Sequence, residues 1–193
     1  VAVHLDELDR IRRAGGIIGG FISRPGSKDV TRLLHLAHLS TSNTKPIEAP
    51  NPLEYVADRP VFSSLPGGAR SALYVSPQEI NEQYYAPCGH EVHFFYVNLA
   101  DAEQEPVIAR VEVPAWVAND DQKLDTLHAV VVAQARITGD YPYVLARADE
   151  LAYVNGRERA ALESMVISSL IKAGVRSAPS PKARYKRMTR QGF

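Results

Sequence analysis

Side chains able to do chemistry are concentrated in one short stretch, residues 139–150. Its sequence, GDYPYVLARADE, carries two phenols, one guanidinium and three carboxylates. Carboxylate oxygens bind hard divalent cations, and a guanidinium or a phenol can bind a phosphate group. If residues 147–153 are helical, Asp149 and Tyr153 lie four residues apart and share one face. Two interpretations stay open from these residues alone: a site for a metal ion and a phosphate, or the start of a helix in which the tyrosines only pack.

A second candidate group lies on a predicted strand, residues 106–113. Arg110 and Glu112 share one face of this strand, because side chains alternate along an extended chain. The other face carries the apolar side chains of Val107, Ala109, Val111 and Val113. We favour an ion pair between Arg110 and Glu112 over a carboxylate that points into a cleft. An unrelated hydrolase that uses Glu112 with a histidine is a further, less favoured alternative.

The histidines and the short motifs give little support for other chemistry. His35 and His38 are three residues apart on a predicted helix, whereas His90 and His93 would point to opposite faces of a strand. Neither pair has a third acidic or thiol ligand in register. His128 is interpreted as a packing or surface residue. The phosphate-binding patterns GxxxxGK[ST] and GxGxxG are absent from the sequence, as are HExxH and GxSxG.

Composition favours one ordinary folded domain. The chain has 193 residues and a mass of 21.2 kDa, with 45% apolar and 23% charged residues, which excludes coiled-coil, collagen-like and wholly disordered chains. The single cysteine, Cys88, excludes an internal disulfide and a cysteine-rich zinc site. Apolar stretches of about five residues are too short to span a membrane. We therefore expect a cytoplasmic protein without membrane contact.

Charge is distributed unevenly along the chain. Net charge is zero, but residues 176–193 contain only basic charged residues, and residues 1–175 carry an acidic excess. The basic residues of this tail are Arg176, Lys182, Arg184, Lys186, Arg187 and Arg190. A cationic tail on an acidic body suggests contact with a polyanion, although a solvated tail explains the pattern equally well.

Helices and strands are predicted to alternate, which indicates an α/β or α+β fold. The predicted helices are residues 4–14, 28–39, 119–137 and 157–173, and the predicted strands are residues 17–23, 70–75, 90–99 and 106–113. Ser27 is predicted to cap the second helix, and the third is predicted to begin at a cap by Asn119 or Asp120 and to end at Gly139. The last two strands are predicted to form a hairpin. Residues 40–59 are predicted to be a surface loop. We expect residues 17–23 to be buried. The inward faces of two helices are expected to carry Leu33 and Leu34, and Leu162 and Met165.

Five blocks of this sequence, in order, resemble the C-terminal half of the NurA nuclease family. They are IIGGFISRPGSKDVTRLLHL, RPVFSSLPGGARSALYVS, HFFYVNL, IARVEVPAWV and GDYPYVLARADELAYV. The resemblance implies an α/β fold with an RNase H-like mixed sheet flanked by helices, and we expect this chain to lack the N-terminal strands of the full domain. Residues 1–175 would be the C-terminal part of that domain, and residues 176–193 a basic tail.

The resemblance also implies a function in DNA repair. A member of this family would be a manganese-dependent nuclease, with Mg²⁺ as an alternative ion, that acts in DNA end resection as a 5′–3′ exonuclease and single-strand endonuclease. The implied partners are DNA, a hexameric ATPase of the HerA type and a second copy of the chain in a homodimer.

Site residues carry over only where the motif matches. Tyr141 matches the family tyrosine and would lie near the scissile phosphate. Asp149 stands where the family has a histidine, and it can ligate manganese but cannot transfer a proton through an imidazole. Contacts to nucleic acid are expected from Arg147 and the tail residues Lys182, Arg184, Lys186, Arg187 and Arg190.

The carboxylates that bind metal in the family lie mainly on two Asp-Gly motifs, and this sequence contains no Asp-Gly pair. A two-metal site needs several converging carboxylates, so we expect the chain to be catalytically incomplete on its own. The origin could be a segment of a longer protein or a shortened paralogue. The alternative function is a non-catalytic adaptor or dimerisation module that presents Phe62, Tyr84 and Tyr85 to a DNA-translocating ATPase.

Overall fold

A four-stranded antiparallel sheet lies at the centre of the fold. Its strands are β1 (Gly20–Ile22), β2 (Tyr74–Val75), β3 (Val92–Asn98) and β4 (Ile108–Pro114), in the spatial order β1-β4-β3-β2. The predicted hairpin of β3 and β4 is confirmed, with Phe95 opposite Val111. This computed structural model describes residues 2–41, 50–101, 104–152 and 156–174.

The described residues also form helices. They are α1 (Ala2–Arg13), α2 (Asp29–Thr41), α3 (Ala115–Ala118), α4 (Asp121–Thr138), α5 (Tyr143–Leu151) and α6 (Gly156–Lys172), with single helical turns at Arg59–Phe62, Asn81–Tyr85 and Ala86–Cys88. The predicted caps of α4 are confirmed. The Asp120 carboxylate accepts a hydrogen bond from the Lys123 amide at 3.1 Å, and Gly139 ends the helix with φ +104°.

Both faces of the sheet are buried, whereas the alternation along β4 predicted one apolar face and one charged face. One face packs against α4 and is formed by Phe95, Val97, Ala109, Val111 and Val113 together with Leu124, Val132 and Ala135 of that helix. The other face is smaller and contains Val30, Phe62, Phe94, Tyr96 and Ile108. Arg110 and Glu112 lie on β4 with the parity of Ile108, so their charges enter the smaller face.

Helix α1 is attached through a buried imidazole. The indole Nε1 of Trp116 donates to His90 Nδ1 at 3.3 Å, and His90 Nε2 lies 3.2 Å from a carboxylate oxygen of Asp9 on α1. Since an indole N–H can only donate, Nδ1 is the acceptor and Nε2 carries the proton. His90 therefore joins α1 to α3.

Three sequence predictions about the first half of the chain are wrong in detail. The strand predicted over residues 17–23 is limited to β1 at the sheet edge, where Ile22 is 39% exposed. The strand predicted over residues 70–75 is reduced to β2 and an isolated bridge between Arg70 and Val97. Leu33 and Leu34 are about half exposed, because α2 is buried through Val30, Thr31 and Leu39 instead.

The chain divides into two compact units, Val1–Arg147 and Ala148–Phe193. In the second unit, α6 is confirmed close to its predicted bounds, but Leu162 and Met165 are 58% and 68% exposed. Their predicted inward orientation is wrong, since the described part of this unit offers no second apolar layer for that stripe to bury against. Among the described residues, no helix combines the length and apolarity that crossing a membrane requires.

Candidate functional site

Tyr141 is held at the surface by the end of α4 and by the edge of the sheet. It follows the Gly139 cap, and the Thr138 hydroxyl donates a hydrogen bond to its backbone oxygen. Its ring packs edge to face on Phe21 of β1, with the centroids 5.5 Å apart. The next residue, Pro142, is buried. Packing on one side therefore fixes the ring of Tyr141, while the side chain stays half-buried.

The tyrosine lines a charged cleft of about 360 Å³. The polar residues of this cleft are Ser23, Arg24, Arg59, Glu105, Asp140 and Tyr141. The cleft thus brings together side chains from the end of β1, from the turn at Arg59–Phe62, from the segment before β4 and from the end of α4. The cleft therefore combines phenol, guanidinium and carboxylate groups from distant parts of the chain. The sequence had predicted only the groups in the short stretch around Tyr141.

The other predicted site residues occupy different places. Arg147 is exposed at the end of the first unit, and Asp149 is exposed on α5 in the second unit. The five predicted tail contacts, Lys182, Arg184, Lys186, Arg187 and Arg190, lie outside the described residues, as does Tyr153. Their proposed roles stay predictions.

A second polar group, which sequence reasoning found only in part, lies on the smaller face of the sheet. The predicted ion pair is confirmed: Nε and Nη2 of Arg110 lie 2.9 and 2.8 Å from Oε1 of Glu112. The guanidinium also donates from Nη1 to the Asp29 carboxylate at 2.7 Å and to the Ser27 hydroxyl at 3.0 Å. Its Cζ atom lies 3.6 Å from the centroid of the Phe94 ring.

Asp58 continues this network on the other side of Ser27. Its carboxylate is fully buried and accepts hydrogen bonds from the Thr31 amide at 2.8 Å, the Tyr96 hydroxyl at 2.8 Å and the Ser27 hydroxyl at 3.1 Å. Asp58 thereby satisfies an amide of the first turn of α2, a role that sequence reasoning gave to Ser27. A lone aspartate in a predicted loop carries no periodic signal, so sequence alone could not identify it.

The surroundings of the Tyr96 phenol and the Arg110 guanidinium shift the pKa values of both groups. Burial raises the pKa of Tyr96 to about 12, and the nearby Asp58 carboxylate acts in the same direction. Burial by itself would lower the pKa of Arg110, but the hydrogen bond to Asp29 and the charge of Glu112 outweigh it, so that pKa is raised. The phenol is therefore neutral and the guanidinium charged at any physiological pH.

Glu112 is the member of the network that reaches solvent. Its side chain is 34% exposed, whereas the side chains of Arg110 and Asp29 are 4% and 7% exposed. Glu112 lines two adjacent cavities of about 370 and 190 Å³, both of which also contain Gln78. Glu112 therefore forms the ion pair with Arg110 and also faces a cleft. The sequence had presented these two roles as alternatives.

A manganese centre requires several carboxylates that converge on the ion. Across the part of the chain that the structure describes, no three His, Cys, Asp or Glu side chains lie in an arrangement that could hold a metal ion. The described residues therefore do not by themselves fit such a centre, and Asp149 would need ligands from elsewhere.

Comparison with known protein families identifies the family of this chain. The family model of the NurA domain matches residues 12–154, which is most of the chain. The chain belongs to the NurA family. No curated protein and no solved structure matches it significantly. The matched NurA region includes the sheet, the charged cleft with Tyr141, and Asp149, but ends before the basic tail.

Proposed function

We propose that this chain is part of a metal-dependent deoxyribonuclease of the NurA family. Manganese, or alternatively magnesium, would be the ion, and the reaction would be 5′–3′ exonuclease and single-strand endonuclease cleavage during DNA end resection. The family match over residues 12–154 carries the proposal. The placement of Tyr141 in a charged cleft supports it, since a phosphate-binding phenol must be accessible.

Within this proposal the chain's own residues bind and orient the DNA. The Tyr141 hydroxyl can donate a hydrogen bond to a phosphate oxygen, and its ring is kept in place by Phe21. Asp149 can serve as one oxygen ligand, exposed on its helix. Because the described residues do not form a complete metal centre, the remaining carboxylates are assigned to groups beyond them. That the sheet belongs to an RNase H-like fold is part of the same proposal.

Partners follow from the family and not from a contact in the chain. We expect a hexameric ATPase of the HerA type and a second copy of the chain, with the tail residues 176–193 on the DNA. Leu33, Leu34 and Leu36 of α2 are each 45–51% exposed, and this apolar row is the observation that favours the second candidate function, an adaptor that docks on such an ATPase.

The adaptor surface must, however, differ from the one predicted. Phe62 is only 8% exposed and stacks on Tyr96 with the centroids 4.4 Å apart, so it cannot face a partner. Tyr85 is half-buried against His4. Tyr84, at 48% exposure, is the member of that set that remains accessible.

The test is cleavage of labelled single- and double-stranded DNA by the natural full-length protein that contains this chain, with Mn²⁺, with Mg²⁺ and with EDTA. We expect cleavage that depends on the metal, and a reduction of about 100-fold or more for Tyr141→Phe, which removes only the hydroxyl. Asp149→Ala should reduce cleavage as well. Asp6→Ala is the matched control, because Asp6 is also an exposed helical aspartate without an ion pair among the described residues.

The outcomes separate the two functions. Absence of cleavage with every metal, together with binding to the ATPase, would support the adaptor and refute the nuclease. Cleavage that is unchanged in Tyr141→Phe would leave a nuclease but remove Tyr141 from its site.

A further inference from the structure

Two arginines line the cleft with Tyr141 and were not among the predicted site residues. Arg24 follows β1, and Arg59 begins the turn Arg59–Phe62. Both side chains are exposed, and neither makes an ion pair or a side-chain hydrogen bond within the described part of the chain. The acids of the same cleft, Glu105 and Asp140, are likewise without an ion pair among these residues.

Unpaired guanidinium groups beside a phenol fit one class of ligand best. A guanidinium presents a planar fork of donors that matches two oxygens of a phosphate, and such charge-assisted pairs are stronger than neutral hydrogen bonds. A buried or paired arginine could not turn toward a ligand without breaking contacts. Arg24 and Arg59 have no such contacts to break, so binding a phosphate restricts only the conformations of their side chains.

The backbone that carries the arginines is held firmly. Arg59 follows Asp58, which is fixed by its hydrogen bonds to Thr31, Ser27 and Tyr96 and whose own amide donates to the Ser27 carbonyl at 2.9 Å. Arg24 precedes the buried Pro25. Fixed attachment points give the two side chains defined positions on the backbone, from which both line the cleft.

The cleft also continues beyond Tyr141. Arg59 and Glu105 line an adjoining cavity of about 550 Å³ that extends to Pro25 and Ser63. Because the two cavities share lining residues, they form one groove. Tyr141 lies at one end of this groove. A groove of this kind suits an extended chain with repeated anionic groups better than a single small anion.

We propose that Arg24 and Arg59 bind successive phosphates of a single DNA strand and set its register against Tyr141. This inference rests on the proposed nuclease function and adds to it the residues that position the strand. Glu105 and Asp140 balance the two arginines, so long-range attraction by the groove is weak. Binding there therefore depends on the local guanidinium–phosphate contacts.

The test measures binding of a fluorescein-labelled oligothymidylate to the full chain by anisotropy, between about 50 and 200 mM KCl. Loss of two phosphate contacts should lower the slope of log K against log salt by about 1.4 for a single strand. We expect Arg24→Ala/Arg59→Ala to bind at least about tenfold more weakly at low salt. The matched control is Arg12→Ala/Arg32→Ala, which removes the same charge from two exposed helical arginines that form no ion pair among the described residues.

An oligonucleotide with uncharged methylphosphonate linkages identifies the contacted group. The difference between wild type and Arg24→Ala/Arg59→Ala should disappear with this probe. The lysine variant Arg24→Lys/Arg59→Lys keeps the charge but not the fork, and should fall between the two. Thermal unfolding should be unchanged, since both side chains are exposed.

The inference is overturned if the alanine variant matches wild type in affinity and salt slope, or if the control variant loses as much. It is also overturned if the loss persists with methylphosphonate. Wild-type binding with an unaffected alanine variant would leave the proposed function standing. Wild-type protein that neither binds nor cuts DNA would refute both.

Discussion

Replacement of Arg110 by methionine tests the physical account of the buried network. Methionine keeps an unbranched apolar chain on the Phe94 ring and removes the guanidinium. Asp29, whose side chain is 7% exposed, then loses the 2.7 Å contact to Arg110 that neutralises it. Glu112, at 34% exposure, can recover hydration and should contribute less.

The expected cost follows from the burial of Asp29. Removing one partner of a buried ion pair typically costs about 3–5 kcal/mol, because an uncompensated charge remains in a medium that solvates it poorly. An exposed pair of similar geometry contributes about 0–1 kcal/mol. Arg70 and Asp125 form such a pair, also at 2.7 Å, with the Asp125 side chain 67% exposed. Arg70→Met is therefore a control with the same substitution and the same distance.

The assay is equilibrium unfolding in urea, followed by the fluorescence of Trp116, the single tryptophan. It lies in α3, directly after β4. With a slope of about 1–3 kcal/mol/M, Arg110→Met should lower the midpoint by more than about 1 M. Arg110→Met/Asp29→Asn should recover part of this loss, with a coupling of about 0.5–3 kcal/mol.

A loss for Arg110→Met within about 1 kcal/mol of that for Arg70→Met would refute the reasoning. So would a double variant whose free energy of unfolding falls by the full sum of the two single losses. Either result would mean that Asp29 is solvated in the folded protein.

Three further measurements test other parts of the structure. Asp58→Asn should lower the free energy of unfolding by about 1–3 kcal/mol in urea titrations, because buried donors such as the Thr31 amide lose a charged acceptor; no change would contradict the buried hydrogen bonds. Burial, aided by the charge of Arg70, lowers the pKa of His128 in the folded protein. The unfolded chain therefore binds this proton first, at about pH 6.5. The contribution of His128 to the free energy of unfolding is full above about pH 6.5 and decreases as the pH falls below that value. Unfolding measured from about pH 7 to 5 should show that fall, and His128→Gln should reduce it. Gly139→Ala should cost about 1–3 kcal/mol in thermal or urea unfolding, since φ is +104° and no atom lies within 4 Å of the added Cβ; a neutral result would argue against that backbone conformation.

Much of the sheet and of α4 could be predicted because their signals are local. Alternation along residues 106–113 places Arg110 and Glu112 on one face, and a two-residue spacing brings their charges into contact. Asp120 and Gly139 mark the ends of α4 through preferences that act within one turn. Tyr141 was identified by its residue type and by family resemblance, and it does line a cleft.

Predictions failed where the outcome depended on a distant neighbour. The helical period of the apolar residues correctly predicted α2, but the prediction that Leu33 and Leu34 are buried is wrong. A helical period identifies an apolar stripe on a helix and does not show which surface packs against it. Strand residues 17–23 look buried by composition, yet β1 pairs on one side only, with β4, and is therefore an edge.

The sequence by itself determined the alternation of helices and strands, the central hairpin, the caps of α4 and the family, because each depends on residues close together or on an ordered set of blocks. It did not determine the type of sheet, which is antiparallel and not mixed as expected. Only the tertiary structure decided which charges meet. Ser27, Asp29, Asp58, Tyr96 and Arg110 converge because α2 and the segment before Arg59 pack on the same face of the sheet. Arg24, Arg59 and Tyr141 line one groove because the end of β1, the turn at Arg59–Phe62 and the end of α4 meet there. Their separation along the chain leaves no periodic pattern, so folding alone establishes their contact.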